Sequence, residues 1–143
     1  MTKIKQFTAI LFLSAILVSC GGGVSSMDMN DVKSMEGACE RDEAKLELLE
    51  RKLEILTEMD GKVDADVSQS TWDELTLIAT KVNKISSMHN EDKVDDKYET
   101  TDYGKDLEKC PSKEKIDMVK KQIGEVASKR SDKSDAYEEK VEK

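Results

Sequence analysis

From Val32 onward, apolar residues fall at Val32, Met35, Cys39, Leu46, Leu49, Leu53 and Leu56, a series stepping by three and four that only Asp42 interrupts. On a helix of 3.6 residues per turn this places them on one stripe, so the spacing predicts an amphipathic helix. Gly37 weakens its first turns, which leaves Ala38 to Met59 as the firm part, and Asp60-Gly61 ends it. Leu75, Ile78, Val82 and Ile85 repeat the period in a second helix running to about His89. Thr71-Trp72-Asp73-Glu74 opens it as a capping box, with Thr71 as the cap and Glu74 reaching back. Ile116, Val119, Ile123 and Val126 mark a third helix after Cys110-Pro111, with Ser112 as its cap and Glu114 in its first turn. Past Arg130 only Tyr137 and Val141 keep the register, so 131–143 reads as a charged, frayed helical extension.

Between the second and third helices, 90–109 has no apolar period and carries eight acidic and four basic residues. It reads as a long solvated acidic loop, or as locally disordered chain. The expected fold is therefore all-α: a small up-down-up three-helix bundle over 31–130 with a long acidic loop. An open hairpin with a separate third helix is the structural alternative. The up-down-up order has support in length and charge. At 1.5 Å per residue the first helix rises about 30 Å and the second returns about 26 Å, which brings the loop back to the level of Cys39. Residues 31–60 carry a net −5 and 112–133 a net +3, favouring the first and third helices as neighbours.

The N-terminus has a different pattern. Lys3 and Lys5 precede an apolar run from Phe7 to Val18, too short to span a bilayer, and the run closes on Leu17-Val18-Ser19-Cys20. This order of charge, apolar core and small residue before cysteine resembles the lipobox of bacterial lipoproteins, over residues 1–20 only. The resemblance implies that 1–19 is a removable signal peptide and that Cys20 is lipidated on its sulfur and, after cleavage, on its amino group. It also implies an address: the bacterial cell envelope, lipid-anchored, with the outer membrane facing the periplasm the expected site because Gly21 stands where retained lipoproteins carry aspartate. Residues 20–30, with three glycines and two serines, would then be a flexible tether between lipid and domain.

With Cys20 assigned to lipid, Cys39 and Cys110 remain, and in an exported chain the simplest reading is one disulfide between them. A net charge of −8 argues against nucleic acid and against electrostatic docking on anionic lipid, so the membrane partner would be reached through acyl chains alone.

Catalytic chemistry is poorly represented. His89 is the single histidine, placed at a helix C-terminus where it reads as a dipole partner, and pairing the cysteines leaves no Cys–His dyad. No catalytic residue, cofactor or metal is expected, and the chain is read as no enzyme. Asp64 does not start a calcium hand, because Gln69 and Leu75 stand where glycine and glutamate are required. The leading expectation is a non-catalytic interaction or structural module. It would dock an unidentified protein, or a second copy, on a helical face widened by Leu48, Ile55 and Met59, with Trp72 either an anchor or a plug at the end of the bundle, or through the loop around Asp92 to Asp106. The alternative is a cation- or small-ligand-binding lipoprotein using Asp92, Asp95, Asp96 and Asp102 of the acidic loop.

Overall fold

A computed structural model describes residues 28–97 and 99–141, the last eleven as backbone only. The signal segment, Cys20 and most of the tether lie outside the described residues. Among the described residues five helices follow in order: α1 Met29–Ser34, α2 Ala38–Glu58, α3 Gln69–Lys93, α4 Asp102–Leu107 and α5 Lys113–Val141, with a 3-10 turn at Asp64–Asp66 between α2 and α3. The chain is predominantly helical, and among the described residues the only extended pairing is an isolated bridge between Val94 and Thr100.

α2 is the hub. Its apolar face divides into two stripes, each serving a different neighbour. Ala44, Leu48, Ile55 and Met59 pack with Leu75, Ile78, Ile85 and Met88 of α3 and with Val32 of α1. Leu46 and Leu49, with Leu53 beside them, pack against Ile116 and Val119 of α5. The wide face was therefore expected to hold a partner, but the chain itself covers it. Leu48 is 0 % exposed and Ile55 and Met59 are 2 % exposed, so these three residues are core, not docking surface.

The relative directions follow from side-chain pairs. Arg41 meets Asp92 and Arg51 meets Glu74, so α3 runs antiparallel to α2. Cys39 bonds Cys110, and the Arg130 guanidinium donates to the Met59 carbonyl at 2.8 Å, so α5 runs alongside α2 in the same sense. Both pairs have the same sequence offset, 71 residues, which means the two helices keep register over the length of α2. Arg130 also pairs with Asp64 and lies over the Trp72 ring, 5.9 Å from its centroid. Trp72 is half-buried at the edge of the α2–α3 core under this cation, an end plug rather than a free anchor.

The ends of the helices correct several local expectations. Gly37 does break the first pattern, but the turns before it form their own helix. Asp28 caps α1 in a reciprocal box with Asp31, so 28–30 belong to the folded domain and not to the tether. α3 starts earlier than expected: Ser68, not Thr71, is the cap, its hydroxyl accepting from the Thr71 amide, and Glu74 turns outward to Arg51. Gly61, at φ +83°, makes the left-handed turn after α2 as expected. Ser112 precedes α5, but its buried hydroxyl has no hydrogen-bond partner among the described residues and does not cap the helix by its side chain. The backbone of α5 continues helical through Val141, in line with the helical extension expected past Arg130.

The greatest departure is 90–109. α3 takes its first residues, the Val94–Thr100 bridge closes a tight return, and Thr101 caps α4 by accepting from the Gly104 amide. Instead of a long loop, the segment is a short turn and a one-and-a-half-turn helix folded back on the end of α3.

Candidate functional site

The disulfide end of the molecule gathers most of the buried polar groups. On α2, Arg41 and Asp42 are each 6 % exposed, and on α3 His89 is also 6 % exposed. Asp42 is the one interruption in the α2 apolar stripe, and the structure explains it. Its carboxylate lies 3.2 Å from His89 Nε2, although the ring N–H is not well aimed along that line, so the contact is an electrostatic approach rather than a formed hydrogen bond. On the other side of the ring, Nδ1 lies 2.7 Å from the Tyr103 hydroxyl of α4. Arg41 donates to that same hydroxyl at 3.0 Å, to the Met35 carbonyl at 2.8 Å, and to Asp92.

A guanidinium can only donate, so the Tyr103 oxygen accepts from Arg41, and which of the hydroxyl and His89 Nδ1 donates across their 2.7 Å contact is set by the ring tautomer. Burial pulls the His89 pKa below its ordinary value; Asp42 works against this and the Lys45 and Arg41 charges reinforce it, so the ring is neutral near pH 7. Burial likewise raises the Tyr103 pKa, outweighing the Arg41 hydrogen bond that favours the phenolate. For Arg41, burial opposes the charge but the bonds to Asp92 and Tyr103 win, and its pKa is raised.

Asp42, His89 and Tyr103 stand in the order of an acid–base–nucleophile triad, and this order invites a catalytic reading. The phenol argues against it. It is held neutral, its oxygen is already engaged by Arg41, and Tyr103 does not line the adjoining cleft. What the group does is tie α2, α3 and α4 together through one buried chain of polar contacts.

Beside this network is an open cleft of about 260 Å³ between α2, α3 and the start of α5. Lys45, Lys93, Lys113 and Lys120 line it together with Asp42, Glu108 and Asp117, and Leu107 and Ile116 supply apolar wall. Burial lowers the Lys45 pKa and the Lys120 charge lowers it further, while the Asp42 and Asp117 carboxylates work against both.

The residues proposed from the sequence are not brought together. Cys39 and Cys110 are joined at this end as expected. Leu48, Ile55 and Met59 are inside the core, Trp72 is at the opposite end under Arg130, and Cys20 lies outside the described residues. The loop carboxylates have separate partners: Asp92 pairs with Arg41, Asp95 accepts from the backbone amides of Lys97 and Glu99, and Asp102 pairs with Lys105. Among the described residues no three His, Cys, Asp or Glu side chains converge as a metal site would need.

Two signals for the missed site were in the sequence. Asp42 is a carboxylate on an otherwise apolar stripe, and Thr101 is a helix cap two residues before a tyrosine. Comparison with known proteins returns no match to a family model, to a curated protein or to a solved structure.

Proposed function

We propose that the chain is a lipid-anchored protein of the bacterial cell envelope whose folded part acts by non-covalent binding and not by catalysis. The observation that carries the reading is the Cys39–Cys110 bond. A disulfide that ties two helix starts together across 71 residues is a device of exported proteins, and an export signal ending in a lipobox-like cysteine is what the first twenty residues resemble. No helix among the described residues is long and apolar enough to cross a membrane, so in this reading the acyl chains on Cys20 alone supply the attachment.

We read the folded part as an up-down-up three-helix bundle of α2, α3 and α5, with α1 and α4 as straps. The α2–α3 and α2–α5 side-chain pairs support this arrangement. The binding role is drawn to the disulfide end, where the cleft and the polar network meet, and away from the α2 face that the core consumes. A partner protein on the outward face of α4 remains part of the proposal. The cation-binding alternative has less support, because the acidic side chains it needs are dispersed among other partners.

Mass spectrometry of the N-terminus of the protein isolated from its own membranes tests the anchor. We expect a diacylglyceryl-modified Cys20 as the first residue and accumulation of uncleaved precursor for Cys20→Ala. A mature N-terminus elsewhere, or an unmodified Cys20, overturns the reading.

A further inference from the structure

We propose that the cleft at the disulfide end is a binding site for a small organic phosphate, with Lys45 and Lys120 holding the phosphate and Leu107 and Ile116 receiving its carbon portion. The inference concerns the folded domain and does not depend on the lipid anchor.

The charge arrangement carries the argument. The chain has 31 acidic residues against 23 basic ones, and a lysine on its surface has ample opportunity to pair. Yet four lysines from three helices, Lys45 of α2, Lys93 of α3, and Lys113 and Lys120 of α5, line one cleft, and none of them makes an ion pair within 4 Å among the described residues. Asp42 and Asp117 offset part of the burial cost of the Lys45 charge, but no acid of the cleft comes within 4 Å of a cleft lysine. Asp42 lies against His89, and Glu108 and Asp117 form no salt bridge with any of the four. Lys45 is half-buried, and the Lys120 charge opposes its own. Two ammonium groups held so that they repel, where helix packing alone would be served as well by a neutral residue, are a cost that a bound dianion removes.

The shape narrows the ligand. At about 260 Å³ the cleft falls just under the ~300 Å³ at which drug-sized pockets begin, so it suits a small metabolite and not a polymer. Ammonium groups are compact point charges suited to the several oxygens of a tetrahedral phosphate, whereas planar carboxylate recognition favours the arginine fork, and no arginine lines the cleft. The start of α5, at Lys113, adds the positive end of its helix dipole on the same side. A phosphate monoester satisfies these terms whether it comes free in solution or as the headgroup of a lipid.

His89 gives the test its readout. It is the single histidine of the chain and lines the cleft, so its ring signals in an NMR spectrum are unambiguous. The intact protein is titrated with glycerol 3-phosphate, with sodium chloride at matched ionic strength, and with phosphatidylcholine vesicles with and without phosphatidic acid. We expect a saturable displacement of the His89 ring signals by glycerol 3-phosphate or by phosphatidic acid vesicles, the responding arm identifying the source, and none from chloride. Lys45→Gln combined with Lys120→Gln should weaken that response at least about tenfold. The ligand-free melting temperature of this variant should be unchanged or higher, because a repulsive contact is gone, and the rise in melting temperature on adding phosphate ester should disappear. The proposal fails if neither phosphate source gives a saturable shift, if chloride reproduces it, or if the double variant binds as the wild type does.

Discussion

The Tyr103 hydroxyl and His89 Nδ1 share a hydrogen bond of 2.7 Å, joining a residue of a six-residue helix to the last turns of a twenty-five-residue one. Short helices have little stability of their own. α4 is therefore held by what it touches, and the hydroxyl, which also accepts from Arg41, is its main polar attachment to the buried network.

Tyr103→Phe keeps the ring and removes this attachment. It leaves His89 Nδ1 buried without its partner and takes one acceptor from Arg41. A loss of about 1–3 kcal/mol is expected from the unpaired groups. Urea unfolding monitored by circular dichroism measures it, and hydrogen exchange should show α4 amides losing protection before those of α2.

The same ring makes stability depend on pH. Burial depresses the folded-state pKa of His89, so the unfolded chain takes up the proton first as pH falls. The contribution is fully present above the unfolded value of about 6.5 and is lost as pH drops through it toward the lower folded value. The groups that face the ring are Asp42, Arg41 and Lys45 of α2, Tyr103 of α4 and the cleft residues Lys113, Asp117 and Lys120 of α5. The melting temperature should fall between pH 7 and pH 5, and in His89→Leu that slope should flatten. An unchanged slope in the variant would assign the effect to the carboxylates instead.

Removing the bridge tests the other attachment at this end. Cys39→Ala with Cys110→Ala frees a closed loop of 71 residues, for which the chain-entropy estimate is roughly 4 kcal/mol. Against a total of about 5–15 kcal/mol for a domain, this should lower the melting temperature sharply while helical content survives in the cold. Peptide mapping without reductant should recover the two cysteine peptides linked in the wild type.

Gly104 tests whether α4 has a defined seat. A methyl group at this position would meet the Lys93 backbone carbonyl at 2.6 Å and the Thr100 methyl at 2.9 Å. The carbonyl cannot give way easily, because it accepts from the Thr101 amide and hydroxyl. Gly104→Ala should therefore cost about 1–3 kcal/mol as an overpacked contact, despite alanine's better helix propensity. Gly124→Ala is the control: nothing lies within 4 Å of a methyl there, and it should be neutral or slightly stabilising.

Features governed by a few neighbouring residues were legible in the sequence. The apolar period placed α2, α3 and the first half of α5 close to their observed spans, Gly61 ended α2, and the cysteine count led to the Cys39–Cys110 pair. These depend on local backbone preference or on simple elimination. Where two local signals competed, the sequence was less decisive. Ser68 and Thr71 are both good caps, and it is the Ser68 hydroxyl that accepts from the Thr71 amide.

Tertiary structure alone decided what each face of α2 meets. A single helix shows how wide its apolar stripe is but not how many neighbours share it, and with α3 on one side and α5 on the other, Leu48, Ile55 and Met59 become core rather than docking surface. The same holds for Asp42, His89 and Tyr103, which are 47 and 14 residues apart along the chain and acquire a common role only when α2, α3 and α4 bring them within hydrogen-bonding distance. α4 itself was invisible because six residues with a central glycine carry no period, and it forms because the end of α3, the Thr101 cap and the Tyr103 attachment supply the stability its own sequence lacks.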